Sequence, residues 1–169
     1  MDTSKESFLR HQFLPLLERV PSDTPPAWGK MTLQQMIEHF SDSVRIASGR
    51  SQHQKVLTPE EKLPKMQEFL MSNKPFRENT MNPLVPEVPA PVRNASEEDA
   101  LAELQEELHH FFDVFEANEH LLTINPLFGP LNFQMNIQLL YKHARHHLRQ
   151  FGVDLQDDRP QKATISHKQ

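Results

Sequence analysis

Apolar residues recur at helical spacing through most of this 169-residue chain, and only four glycines are present to interrupt that rhythm or turn tight hairpins. No stretch sustains the alternation that a half-buried strand requires. Leu9, Phe13, Leu16, Leu17 and Val20 fall at i, i+4, i+7, i+8 and i+11, so residues 4–20 read as an amphipathic helix in which Pro15 imposes a kink or an early end. Thr32 and Gln35 form a capping box that opens a second helix reaching Gly49, with its apolar stripe on Leu33, Met36, Ile37, Phe40, Val44 and Ala47.

Thr58-Pro59-Glu60-Glu61 is read as N-cap, N1 proline and N3 glutamate of a short extra helix carrying Leu63, Met66, Phe69 and Leu70. Residues 73–95 contain five prolines and no periodicity. They predict a long, proline-rich excursion over the surface, pinned by Phe76, Met81, Leu84, Val85, Val88 and Val92. Ser96 opens the longest helix, reaching Ala117 on a Leu101, Leu104, Leu108, Phe111, Phe112 and Phe115 stripe. NPLFGP is read as a loop, and the last helix runs from Asn132 to Phe151, with Gly152 as its stop. The expected architecture is all-α: a four-helix bundle with one short extra helix and a long surface loop, as a single domain over residues 1–155. A polar, disordered tail is expected over 156–169.

Composition narrows the function. Cysteine is absent, which removes disulfide scaffolds, thiolate zinc fingers and cysteine nucleophiles. The formal charge of -5 has the wrong sign for a general nucleic-acid or anionic-membrane binder. No apolar run nears the ~18 residues of a membrane span, and the first residues carry no leader-like pattern, so the expected location is cytoplasmic. P-loop, GxGxxG, GxSxG and paired-carboxylate motifs are missing.

Ten histidines remain to be explained. In KHARHHLRQFG, His143 and His147 are four positions apart, so their rings lie about 40° apart on one helix face and can converge on one ion. His146 lies about 100° from His147 and points elsewhere. His39 on the second helix stands on the shoulder of its apolar stripe, as His143 and His147 do on theirs, with Gln35 and Ser43 beside it. Spacing leaves the third ligand open among His39, His109, His110 and His120. His110 is placed outward with the acidic residues and His109 against the phenylalanine stripe. Gln150 shares the His143/His147 face and can orient a ligand; Asp42, one turn after His39, can accept a histidine N–H. Trp28 is read as anchoring its loop over the second helix, and Arg145 and Arg149 as an outer-face pair meeting carboxylates of the long helix.

WGKMTLQQMIEHF and, about a hundred residues later, LLYKHARHHLRQFG together resemble the DinB/YfiT-like superfamily of bacterial helical-bundle proteins. The resemblance implies a four-helix bundle whose metal ligands are a second-helix histidine and the first and fifth residues of the last-helix segment, here His39, His143 and His147. It also implies a divalent cofactor, zinc or nickel, and chemistry of the thiol-transferase or hydrolase type on a small molecule, with a low-molecular-weight thiol as co-substrate. Such a cation would acidify a bound water or thiol. The alternative is a non-catalytic bundle that binds a partner protein or forms a homodimer.

Overall fold

The computed structural model describes residues 3–51, 55–78 and 85–155. The predicted tail at 156–169 and the anchors Met81 and Leu84 lie outside them. Six helices, one 3₁₀ turn and a small hairpin make up these residues: α1 (Thr3–His11), α2 (Phe13–Glu18), α3 (Leu33–Ser48), the turn Glu60–Lys62, α4 (Leu63–Met71), α5 (Glu97–Ala117), β1 (Thr123–Asn125), β2 (Gly129–Leu131) and α6 (Phe133–Gln150). The fold is therefore mostly helical.

The first expected helix is two. A proline ring collides with the carbonyl four residues earlier, which for Pro15 is that of His11, and the chain breaks just after it at Gln12. The amphipathic pattern survives the break: Phe8, Leu9, Phe13 and Leu17 are all buried. α3 begins and ends where its caps direct. Thr32 Oγ1 accepts from Gln35 N–H, Gln35 Oε1 accepts from Thr32 N–H, and Gly49 closes the helix at φ 78°. Ser96 caps α5 by accepting from Asp99 N–H, and Asn132 caps α6 by accepting from Met135 N–H.

Three expectations are corrected. Thr58 does not cap α4; its hydroxyl donates to Leu127 O at 2.7 Å, and the helix is entered through the 3₁₀ turn, with Pro64 in its first turn. The NPLFGP segment is not a plain loop but the bend of an antiparallel hairpin pairing Thr123 with Leu131 and Asn125 with Gly129. Asn125 Oδ1 accepts from both Leu127 and Phe128 N–H, and Gly129 takes φ 74°, so side-chain chemistry supplies the turn that scarce glycine seemed to deny. The hairpin is bolted to the helices by Thr123, whose hydroxyl donates to Ala47 O and accepts from Asn136 Nδ2.

The third correction concerns the proline-rich excursion. Val88 and Val92 were expected to pin it, yet they are 72% and 48% exposed. Polar contacts hold its second half instead. Gln35 Nε2 donates to Ala90 O, Gln34 Nε2 to Asn94 O, and Arg93 N–H to Glu38 Oε1. The Arg93 guanidinium pairs with Glu103 and Asp42. Among the described residues of the segment, Phe76 packs as expected, against Phe69 beside α4, and Val85 is half-buried.

α3 packs most extensively on α5, and α1 on α6. The main core joins Phe13, Phe40, Leu104, Phe111, Ile137, Leu140 and Leu148, each at most 2% exposed. A smaller core under α4 centres on Leu70, Phe128 and Leu131. No helix among the described residues is long and apolar enough to cross a membrane.

Candidate metal centre

α3 and α6 lie side by side, and their apolar stripes enter the same core. Residues on the edges of those stripes therefore face each other across the seam between the helices. His39 occupies that edge on α3, and His143 and His147 occupy it on α6. His39 Nε2 lies 3.1 Å from His143 Nε2, and His147 Nε2 lies 2.7 Å from the same atom. One nitrogen from each residue falls within a group no wider than 4.8 Å, the kind of cluster that can hold a metal ion. Tetrahedral zinc with bonds of ~2.05 Å separates its donor nitrogens by about 3.3 Å, close to the spacing found.

The protonation state of this group is set from outside it. Gln150 is 3% exposed. Its Nε2 donates to Trp28 O at 2.9 Å, so its Oε1 must be the end facing His147 Nδ1, 2.7 Å away. An amide oxygen only accepts, hence His147 carries its proton on Nδ1 and turns a bare lone pair on Nε2 toward the other two rings. A single imidazole proton can serve only one of the two close nitrogen pairs well; a cation serves all three lone pairs together.

Burial keeps the rings neutral. His143 and His147 are held well below the usual histidine range, chiefly by desolvation; His147 and His39 add to this at His143, and His39 adds to it at His147, where the Gln150 hydrogen bond acts the other way. His39 is lowered too, again by desolvation, with the Asp42 carboxylate acting in the opposite direction. His147 sits deeper than the shoulder position expected of it, at 4% exposure, whereas His39 and His143 are half-buried. Those two are the members of the cluster that keep some exposure.

A pH dependence follows. The unfolded chain protonates these histidines near 6.5, while the folded chain resists protonation until the pH is lower. The unfolded state then binds more protons, so stability falls as pH drops below about 6.5, by up to ~1.4 kcal/mol per pH unit for each fully suppressed ring. Thermal melts of metal-free protein should give a midpoint that is flat near pH 7 and declines below 6.5. A midpoint unchanged down to pH 5 would contradict neutral, buried rings.

Each sequence-derived candidate has a place. Gln150 holds His147, as described. Replacing it with alanine should weaken metal binding about 10- to 100-fold, measured by competition with a chromophoric chelator. An unchanged affinity would show that His147 needs no orienting partner. Gln35 is occupied by the α3 capping box and Ala90 O, and Asp42 by ion pairs with Arg93 and Arg45. Both stand on the outer side of His39, and Asp42 acts on it only through its charge.

His109, His110 and His120 contribute nothing to the donor cluster. The expected facing of the first two is reversed: His109 is exposed and His110 half-buried. The carboxylates of α5 are met by Arg45, Arg50 and Arg93, whose partners are Glu103 and Glu107, and by Arg10, which pairs with Glu116. Arg145 lies over Tyr141, and Arg149 lies near enough to His146 to lower its pKa.

One feature had no sequence signal. Lys142 is 7% exposed and donates to the Phe69, Leu70 and Ser72 carbonyls at the C-terminal end of α4. Desolvation lowers its pKa to about 8. The turn at Ala27–Gly29, read as anchored over the second helix, is seated on Gln150 of α6: Ala27 N–H donates to Gln150 O at 2.8 Å, and a side chain at Gly29 would come within 3.3 Å of Gln150 Nε2. No protein-family model, curated protein or solved structure matches this chain.

Proposed function

We propose that this protein is a metalloprotein of the DinB/YfiT type, a four-helix arrangement that binds one divalent cation, zinc or nickel, through His39, His143 and His147. The observation that carries the reading is the convergence of three histidine ring nitrogens, one from each residue, within 4.8 Å. The bare nitrogen presented by His147 supports it. Three neutral imidazoles leave a divalent ion its full charge, so its chemistry is that of a Lewis acid which lowers the pKa of a protic ligand. The reaction class that suits such a centre is thiol transfer or hydrolysis on a small molecule, a low-molecular-weight thiol being the fitting co-substrate.

In this reading the protein's own groups divide the work. His39 and His143 are the two half-buried ligands, His147 anchors the inner side, and Gln150 fixes the His147 ring. Metal analysis of protein equilibrated with zinc or nickel and then freed of loose ion should return about one ion per chain. A screen of thiols with electrophilic acceptors then tests for turnover. Protein that takes up neither metal would refute the reading.

A non-catalytic bundle that pairs with a second copy or another protein is the second reading, favoured by the outward-facing Val88 and Val92. It expects replacement of all three histidines to leave partner binding intact.

A further inference from the structure

Two separate loops bring an aromatic ring to the same histidine beside the triad. The Trp28 ring centroid lies 5.3 Å from that of His146, and the Phe76 centroid lies 6.4 Å from it on a different approach. His146 in turn packs edge-on against His147, with centroids 5.1 Å apart. It therefore lies beside the donor group. Yet it supplies no atom to that group.

Both rings are held in place. The Trp28 turn is clamped to Gln150 by two hydrogen bonds and by the close approach that Gly29 permits. Phe76 rests its ring on Phe69, the two centroids 6.0 Å apart. Neither ring is sunk in a core: Trp28, Phe76 and His146 are all half-buried. Pre-positioned aromatic surface that remains partly open, next to a candidate metal ligand, is what a ligand-recognition wall requires. On the other flank, the proline-rich segment lies along the α3 face carrying Gln35, Glu38 and Asp42, about 40° to 100° around the helix from His39 on the side away from the core.

We propose that Trp28, His146 and Phe76 form a recognition surface beside the histidine triad, and that the ligand reaching the triad-bound cation carries an aromatic or similarly planar apolar substituent. This rests on the metal reading above and adds the ligand class to it. Trp28 and Phe76 are specificity-determining residues here, with no part in holding the metal.

The test uses the full chain loaded with cobalt(II), whose visible spectrum reports both metal binding and ligand binding. Acetohydroxamate and benzohydroxamate offer the metal the same chelating group and differ only in a methyl or a phenyl substituent. The wild type should bind the phenyl probe about tenfold more tightly, the magnitude expected of favourable ring contacts. Trp28→Leu and Phe76→Leu keep apolar bulk and folding while removing the ring. Each should reduce that preference several-fold and leave the cobalt count and acetohydroxamate affinity unchanged. Equal affinity of the wild type for both probes would overturn the proposal, as would a preference that survives both substitutions. Failure of the metal reading is seen separately, because the wild type would then show no cobalt spectrum before either probe is added, and this proposal would fall with it.

Discussion

Replacing His143 with alanine is expected to abolish specific metal binding, with affinity for zinc or nickel falling on the order of 100-fold or more. His143 is the member shared by both close nitrogen pairs, at 3.1 Å to His39 and 2.7 Å to His147, so its loss leaves two donors on opposite sides of a gap. The metal-free variant should remain folded, since a partly exposed neutral imidazole contributes little to the core beyond its contact with Phe40. The effect therefore shows in linkage. At a metal concentration 1,000 times Kd, the wild type gains about 4 kcal/mol of stability, and the variant should gain almost none. Thermal melts with and without zinc measure this directly, with exposed His109→Ala as the control that behaves like wild type. A zinc-dependent rise in Tm retained by His143→Ala would mean that the ion binds elsewhere.

Phe40→Ala is expected to have the largest effect on folding, a loss of about 3–5 kcal/mol from a total that for domains of this size is about 5–15 kcal/mol. Phe40 is 0% exposed, its ring lies 4.7 Å from that of Phe13 in the core, and it lies 5.0 Å from the ring of His143. It thus sits beneath the triad and forms part of its floor. The cavity left by alanine should loosen His143 as well, so metal affinity is expected to drop together with stability. Phe111→Ala separates the two effects. Phe111 is also 0% exposed, but it packs with Phe112, Phe115 and Phe133, so it should cost similar stability and leave metal binding unchanged in the folded protein. Urea unfolding combined with metal titration gives both quantities. A loss under ~1.5 kcal/mol for Phe40→Ala would show that the site can collapse around the void.

Helical periodicity and caps made much of this legible in the sequence. Thr32, Gln35 and Gly49 bound α3 to within a residue, and the wheel positions of His39, His143 and His147 put all three at stripe edges, where the seam between two packed helices brings them together. What escaped has a common physical origin: interactions between side chains and distant backbone leave no periodic trace. Thr58 serves Leu127 O rather than its own helix, and Lys142 caps α4 from α6. Asn125 builds a hairpin turn without needing an Asn-Gly pair. The apolar residues of the proline-rich segment point to hydrophobic pinning, whereas Arg93 and the α3 side chains hold its second half. Gln150 could be placed on the correct face by spacing. Its orientation could not, because that is decided by the Trp28 carbonyl, 122 positions away in sequence.

X-ray absorption at the metal edge of zinc-loaded protein interrogates the triad most directly. Three imidazole nitrogens at about 2.0–2.1 Å, with one further light scatterer, are expected for the wild type, and the imidazole signal should fall to at most two rings in His143→Ala. A wild-type spectrum dominated by oxygen ligands, or unchanged by that substitution, would contradict a cation held by His39, His143 and His147.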